Sequence, residues 1–504
     1  MRANTSSIYM QDWLALHPYN RLTKTDQYYL DLSNDILKIW NQSAFKYQVS
    51  ESIKNNISCQ LAAYFEDVIS RLGIWRAFTS KNKELYGKQL PFYSLPSNYF
   101  EDEINCEDIA FLLWLNIQLY VGNDKEEFID PEEPSLMTLA REIFNLLDAE
   151  YETAPENPLM LDFFSFDKKD YSKFPVFAND AEWFFFQSYL LAACNEEPIN
   201  EIIEQVQKHY PKASDKEKSA IVHDAVNRLM FTDPCGPLAL NMNEWFSAIA
   251  GSNQPYRGYF DSFEFIDREE FYVIEKNNSY IKIRSVANGR EIEVTKESIK
   301  NSSELIPWKT AIKVCCAFYN DAWWFFGEYS TRKLNDTEDI HPAASVRENK
   351  TEDAEDPVYA TFMKASHDLP LMYISSYEAL KKFFINGLRW EDNDDNMMPD
   401  LKDFQNFVLY VNPKGMLIAP DIAAYVKDEQ NPMYNTEIAA KNALDLYTVQ
   451  GCCPIDLLRY LEESNRLPDA QINSFKGEEH GKKLLHENWD FIARCFLESY
   501  YRGE

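Results

Sequence analysis

A chain of 504 residues carrying a net charge of −31 repels phosphate backbones and anionic lipid headgroups, which argues against general nucleic-acid or membrane binding. With 45% apolar and 15% aromatic residues it has material for packed cores, so wholesale disorder is excluded. The length is long for one core and implies two to four domains.

From the N-terminus, residues 12–19 form a short apolar lead-in halted by Pro18. A helix is predicted over 26–46, because Tyr29, Leu32, Ile36 and Trp40 recur at steps of three and four. Leu61, Tyr64, Val68, Leu72 and Trp75 repeat that pattern in the next helix. Residues 109–120 are apolar nearly all round yet too short to span a bilayer, which marks the central buried helix of a first domain. Leu136, Leu139, Ile143 and Leu147 predict another amphipathic helix. Residues 153–170, with Pro155 and Pro158, read as a loop, and the aromatic run 182–193 as a buried segment. Pro198 in a first helical turn and Ser214 with Glu217 as a capping box open two more helices. Residues 234–237 interrupt the pattern before a further segment at 243–249.

Between about 258 and 329 the apolar period switches from 3.6 to 2. Strands are predicted at 271–275, 280–286, 291–294, 311–318 and 323–326. Asn288 and Gly289 join two of them, and both tolerate positive φ in a tight hairpin; Asn320 and Asp321 join the last pair. Five or six strands in this span fit a small half-open barrel of the SH3 sort, a module that usually grips a partner. The island holds ten basic and twelve acidic groups over 258–332, so it is nearly neutral while the acidity sits on the helical parts.

Residues 333–357 are polar and acidic, as expected of a linker. Beyond them Ser375 and Glu378 cap a helix carrying Leu380, Phe383 and Phe384. Residues 407–411 and 416–418 flank Asn412-Pro413-Lys414-Gly415, a turn that predicts a second hairpin. Four helical segments close the chain at about 421–427, 436–449, 454–463 and 482–501. The expected architecture is α+β: a helical domain over 1–257, a small SH3-like β-barrel over 258–332, the acidic linker over 333–357, and a helix-rich domain with a β-hairpin over 358–504.

Few motifs carry chemistry. Asp392, Asp394, Asn396, Asp400 and Asp403 fall on positions 1, 3, 5, 9 and 12 of a calcium loop, which would hold Ca2+ or Mg2+. Met397 stands where that loop turns on Gly, and Asp403 is a methylene shorter than the usual bidentate Glu, so a solvated acidic loop is the competing reading. The nine cysteines form no C-x-x-C pair, and two adjacent pairs are poorly placed for a relaxed disulfide; this usage fits a reducing compartment, and with no apolar leader over 1–25 the expected location is the cytoplasm. Cys453 before Pro454 opens a helix, whose N-terminal dipole would lower a thiol pKa, although packing is the commoner use of such a residue. Seven scattered histidines, none paired at helical zinc spacing, read as structural or exposed.

Trp323, Trp324, Phe325 and Phe326 follow the turn at 320–321. Alternate strand residues point to opposite faces, so one pair must face away from the barrel core. That outward pair is either covered by the helical domains or left as an aromatic patch that marks partner binding.

Several motifs share one likeness. Trp13-Leu14 with Leu16-His17-Pro18-Tyr19, Asp26 with Tyr28-Tyr29-Leu30, Gly73-Ile74-Trp75 with Phe78, and 85–93 form one group. Residues 103–114, 412–420 and Asn431-Pro432 with Tyr434 form another. Together they resemble an uncharacterised bacterial domain-of-unknown-function family over most of the chain. The likeness implies no activity, cofactor or catalytic residue.

The expected role is a non-enzymatic protein-binding or scaffold protein that takes a protein partner, with neither nucleic acid nor membrane and with oligomeric state left open. A carboxylate- or divalent-metal-dependent hydrolase is the alternative, and an acidic mimic of nucleic acid a further one.

Overall fold

The computed structural model describes residues 7–122, 128–299, 306, 310–334, 357–367, 369–388, 398–468 and 470–502. They divide into two units, Met1–Arg347 and Glu348–Glu504. The architecture is α+β, and the barrel shares the first unit with the helices that precede it. Most of the predicted linker, 335–356, lies outside the described residues.

The first unit begins with helices α1 (Met10–Leu14), α2 (Lys24–Trp40), α3 (Glu51–Ser70), α4 (Ile74–Tyr86), α5 (Cys106–Ile117) and α6 (Pro134–Glu150). Helix α2 starts where Thr23 and Asp26 form a reciprocal capping box, and its predicted face of Tyr29, Leu32, Ile36 and Trp40 is buried. Helix α5 is buried all round from Asp108 to Ile117, as its composition requires.

One predicted helix is two. The pattern running from Leu61 to Trp75 is cut after Ser70, where Arg71 adopts φ 55° and the chain turns. The buried Asp67 carboxylate makes the break affordable: it accepts hydrogen bonds from the backbone N–H groups of Gly73 (2.9 Å), Ile74 (3.3 Å) and Trp75 (2.8 Å), and from the Tyr189 hydroxyl (2.6 Å). These are the donors that a helix start leaves unpaired. Asp67→Ala strands four donors, three of them buried, and a loss of about 3 kcal/mol is expected from the cost of each unmade bond. Chemical denaturation of the variant reads this directly; wild-type stability would refute the capping role.

Helices α7 (Pro158–Phe163), α8 (Phe174–Gln187), α9 (Glu196–His209), α10 (Asp215–Thr232), α11 (Met242–Ala250) and α12 (Arg257–Asp261) follow. Helix α7 occupies part of the span expected as a loop, its first turn capped by the Asn157 side chain. The predicted capping box of Ser214 and Glu217 opens α10.

Strands β1 (Glu264–Lys276), β2 (Tyr280–Ser285), β3 (Glu291–Thr295), β4 (Thr310–Tyr319) and β5 (Ala322–Lys333) close into a barrel in the order β1-β2-β3-β5-β4. All pairings are antiparallel except the closing bridge, Val294 to Trp323. The alternation in β2 and β3 sends Ile281, Ile283, Ile292 and Val294 inward, where they meet Phe271, Ile312, Val314 and Trp323.

In the second unit, α13 (Pro357–Ala365) precedes a three-stranded antiparallel sheet of β6 (Leu371–Ile374), β7 (Phe407–Asn412) and β8 (Gly415–Pro420), with α14 (Tyr377–Lys382) between β6 and β7. The predicted hairpin turn is present, its Asn412 side chain accepting from the N–H groups of Lys414 and Gly415. Strand β6 was too short to register as a period. Helices α15 (Thr436–Asn442), α16 (Asp445–Thr448), α17 (Ile455–Glu463) and α18 (Glu478–Leu497) complete it; the stretch predicted as one helix over 436–449 is split between α15 and α16. The predicted segment at 421–427 reduces to a single 3-10 turn, Ala423–Tyr425.

Candidate functional site

The four aromatic residues after the β4–β5 turn part as strand geometry demands. Trp323 enters the barrel core with Phe325 beside it, and the Arg290 guanidinium lies 5.0 Å over the Trp323 ring. Trp324 is buried as well, its indole N–H donating to the Tyr319 carbonyl at 3.3 Å. The Phe326 ring turns outward to Phe174 of α8, Phe231 of α10 and Phe265, with centroids 5.7, 5.2 and 5.9 Å away. Helix α8 also stacks Phe177 on Tyr319 at 5.4 Å, and the Tyr319 hydroxyl donates to the Tyr171 carbonyl at 2.7 Å. The helices therefore cover most of this barrel face. Phe325 and Phe326 stay half-buried.

They stay so because a cleft of about 540 Å³ opens where β5 passes α8 and α10. Phe174, Phe325, Phe326 and Tyr329 supply its rings, and Glu182 and Glu328 its carboxylates. A β-bulge in β5 shapes the wall, and a second interrupts β1. In β5, Gly327, Glu328 and Tyr329 stand opposite Val314 alone, and Gly327 takes φ 67° to turn the strand. In β1 the register slips between Ile266 and Glu269, with Arg268 at φ 36°.

Both bulges are tied to α10. Asp224 accepts from the Arg268 guanidinium at 2.5 Å and from the Glu328 backbone N–H at 3.3 Å, while Arg228 reaches Asp267 at 3.0 Å. Cys315 is held in the same network, accepting from the Arg268 N–H and donating its S–H to Asp267. Burial pushes its thiol up to about 12, which keeps it protonated at neutral pH. On the other wall the Asn227 amide donates to His223 Nδ1 at 3.1 Å, which leaves Nε2 to carry the proton toward Glu182, 3.4 Å away.

Gly327 is the hinge of this construction. A Cβ there would sit 3.2 Å from an Asp224 carboxylate oxygen, on a backbone conformation that L side chains resist. Gly327→Ala is expected to cost about 1–2 kcal/mol in urea unfolding. An unchanged midpoint would mean the bulge relaxes freely.

The other sequence candidates fare differently. Asp392, Asp394 and Asn396 lie outside the described residues, and Asp400 and Asp403 are exposed at and after a 3-10 turn, Pro399–Leu401. Among the described residues no group of three His, Cys, Asp or Glu side chains is placed to hold a metal ion. Cys452 and Cys453 do not gain acidity from the helix that follows. Burial pushes Cys452 up to about 11 and Cys453 well above the ordinary thiol value, so desolvation outweighs the dipole. His17 is a buried partner of Glu66, beside a void of about 10 Å³ that is no larger than one water. Sequence reasoning missed Phe174, Glu182, Glu328 and Tyr329 as cleft residues. One available signal was Gly327 inside an aromatic strand, a mark of a bulge.

No curated protein and no solved structure matches the chain. Among the described residues no helix is long and apolar enough to cross a membrane. A family model does match, over residues 7–305 and 319–498, and so takes in α8, α10 and β5 around the cleft. The chain belongs to the family described as a protein of unknown function, DUF3843.

Proposed function

We propose that this chain is a non-enzymatic binding protein of the cytoplasm that grips a protein partner in the cleft between the barrel and helices α8 and α10. The observation that carries this reading is the cleft itself: about 540 Å³, with half-buried rings beside carboxylates, at a strand bent open by a glycine bulge. That volume lies within the range of ordinary ligand sites, and aromatic residues are the anchors that interfaces favour. The nearby thiol, Cys315, is protonated and held as a structural link, which supports binding over nucleophilic chemistry. The calcium-loop reading has only Asp400 and Asp403 among described residues, both exposed, so it adds no geometry to a hydrolase.

Photo-cross-linking in the native host tests the proposal. A benzoyl-phenylalanine installed at Tyr329 is expected to yield one discrete protein adduct. The same group at Tyr47, which is 89% exposed and is not among the cleft's lining residues, is expected to yield none. Equal labelling from both positions, or no adduct from Tyr329, refutes the reading.

A further inference from the structure

We infer that the cleft reads positive charge: it takes a guanidinium or ammonium group on an apolar stem, as an Arg or Lys side chain of a partner's basic segment presents. The inference rests on the binding role proposed above and adds the chemistry of what is bound.

The lining supplies the reasons. Glu182 and Glu328 are the charged residues among the described residues that line the cleft, and none there is basic. Among the described residues, the cations next to lining residues in the chain are engaged, Lys173 with Glu297 at 3.9 Å and Arg228 with Asp267 at 3.0 Å. No ion pair among the described residues engages the Glu328 carboxylate, which is exposed, while its backbone is fixed by the bond to Asp224. An anion would meet two carboxylates, of which only Glu182 has a neighbouring donor, His223 Nε2 at 3.4 Å, and a wholly apolar ligand would strip water from them and return nothing. A cation on an apolar stem satisfies both halves of the lining. Its stem covers the rings of Phe325 and Phe326, and its charge meets the carboxylates and the ring faces, which attract cations by their quadrupoles. The net charge of −31 draws such a segment in, and the two carboxylates select where it stops.

The experiment uses the full chain and calorimetric titration with a 12-residue peptide bearing two Arg in a Leu and Ser background. Its counterpart carries citrulline, which keeps the shape and removes the charge. The Arg peptide is expected to bind about tenfold tighter than the citrulline peptide, from charge-assisted hydrogen bonds and cation–π contact together. Glu182→Gln with Glu328→Gln is expected to erase that difference. Glu197→Gln with Glu201→Gln, which removes two exposed charges from α9, is expected to preserve it. Equal binding of the two peptides overturns the inference, as does an equal loss in the α9 control, which would mean bulk attraction only. If the two peptides bind equally and Tyr329→Ala weakens both, the cleft remains a binding site and only its charge reading falls. If no cleft substitution changes either titration, the binding role falls with it.

Discussion

Replacing His17 by Ala is expected to destabilise the N-terminal unit by about 3–5 kcal/mol, the cost of leaving one half of a buried ion pair behind. His17 is 4% exposed, between helices α1 and α2. Its Nδ1 faces the Trp13 carbonyl at 2.9 Å and its Nε2 faces the Glu66 carboxylate at 2.9 Å. Both neighbours accept, so both ring nitrogens carry protons. Burial lowers the imidazole pKa. The charge of Glu66, its hydrogen bond, the Trp13 carbonyl and Asp26 outweigh that and raise it above 6.5. Glu66 in turn receives the Asn157 amide at 2.7 Å, and that amide reaches the Tyr19 hydroxyl, which donates to Asp26 at 2.8 Å. Removing His17 therefore leaves a carboxylate in a low-dielectric site with one partner fewer.

The sign of the pH dependence follows from the raised value. The folded state holds the proton more tightly than the unfolded one, so the stabilisation is complete below pH 6.5 and is lost as pH rises through the folded pKa. The gap between wild type and His17→Ala is expected to be wide at pH 6 and narrower at pH 9, read by urea unfolding followed through tryptophan fluorescence. A gap of the same size at both values would show that the pair is not ionised.

Gly481→Ala is expected to cost more than 3 kcal/mol in the second unit, or to prevent it from folding. Gly481 lies in the first turn of α18, where a Cβ would stand 1.9 Å from the Ile472 carbonyl oxygen and 3.0 Å from its carbon. The obstacle is backbone, and it cannot swing aside as a side chain would. It is also held in place, because the Ile472 N–H donates to the Gly481 carbonyl at 3.4 Å and the Ile472 side chain is fully buried. Relief requires moving a core segment off the helix, a cost in the range of core overpacking or above. Limited proteolysis and circular dichroism of the variant give the measurement. A folded variant of wild-type stability would mean that the loop before α18 shifts at no cost.

The sequence by itself determined the class of each region. Periods of 3.6 and 2 are local consequences of which faces must be buried, so α2, α5 and the barrel strands were legible from Tyr29 to Trp40, from Ile109 to Ile117 and from Ile281 to Val294. Turn chemistry is equally local, which is why the hairpins at Asn288-Gly289 and at 412–415 were placed correctly. Strand alternation fixed that one aromatic pair must leave the barrel core, but not what would meet it. That was decided by α8 and α10, some 90 to 150 residues earlier in the chain, whose Phe174 and Phe231 cover Phe326. The break at Gly73 likewise depended on a side chain six residues away folding back as a cap, and the choice at Cys453 between packing and the acidity a helix dipole would lend was decided by burial. Long-range burial decides both the cleft and the state of the groups around it, because desolvation is set by every neighbour in space while periodicity reports only neighbours along the chain.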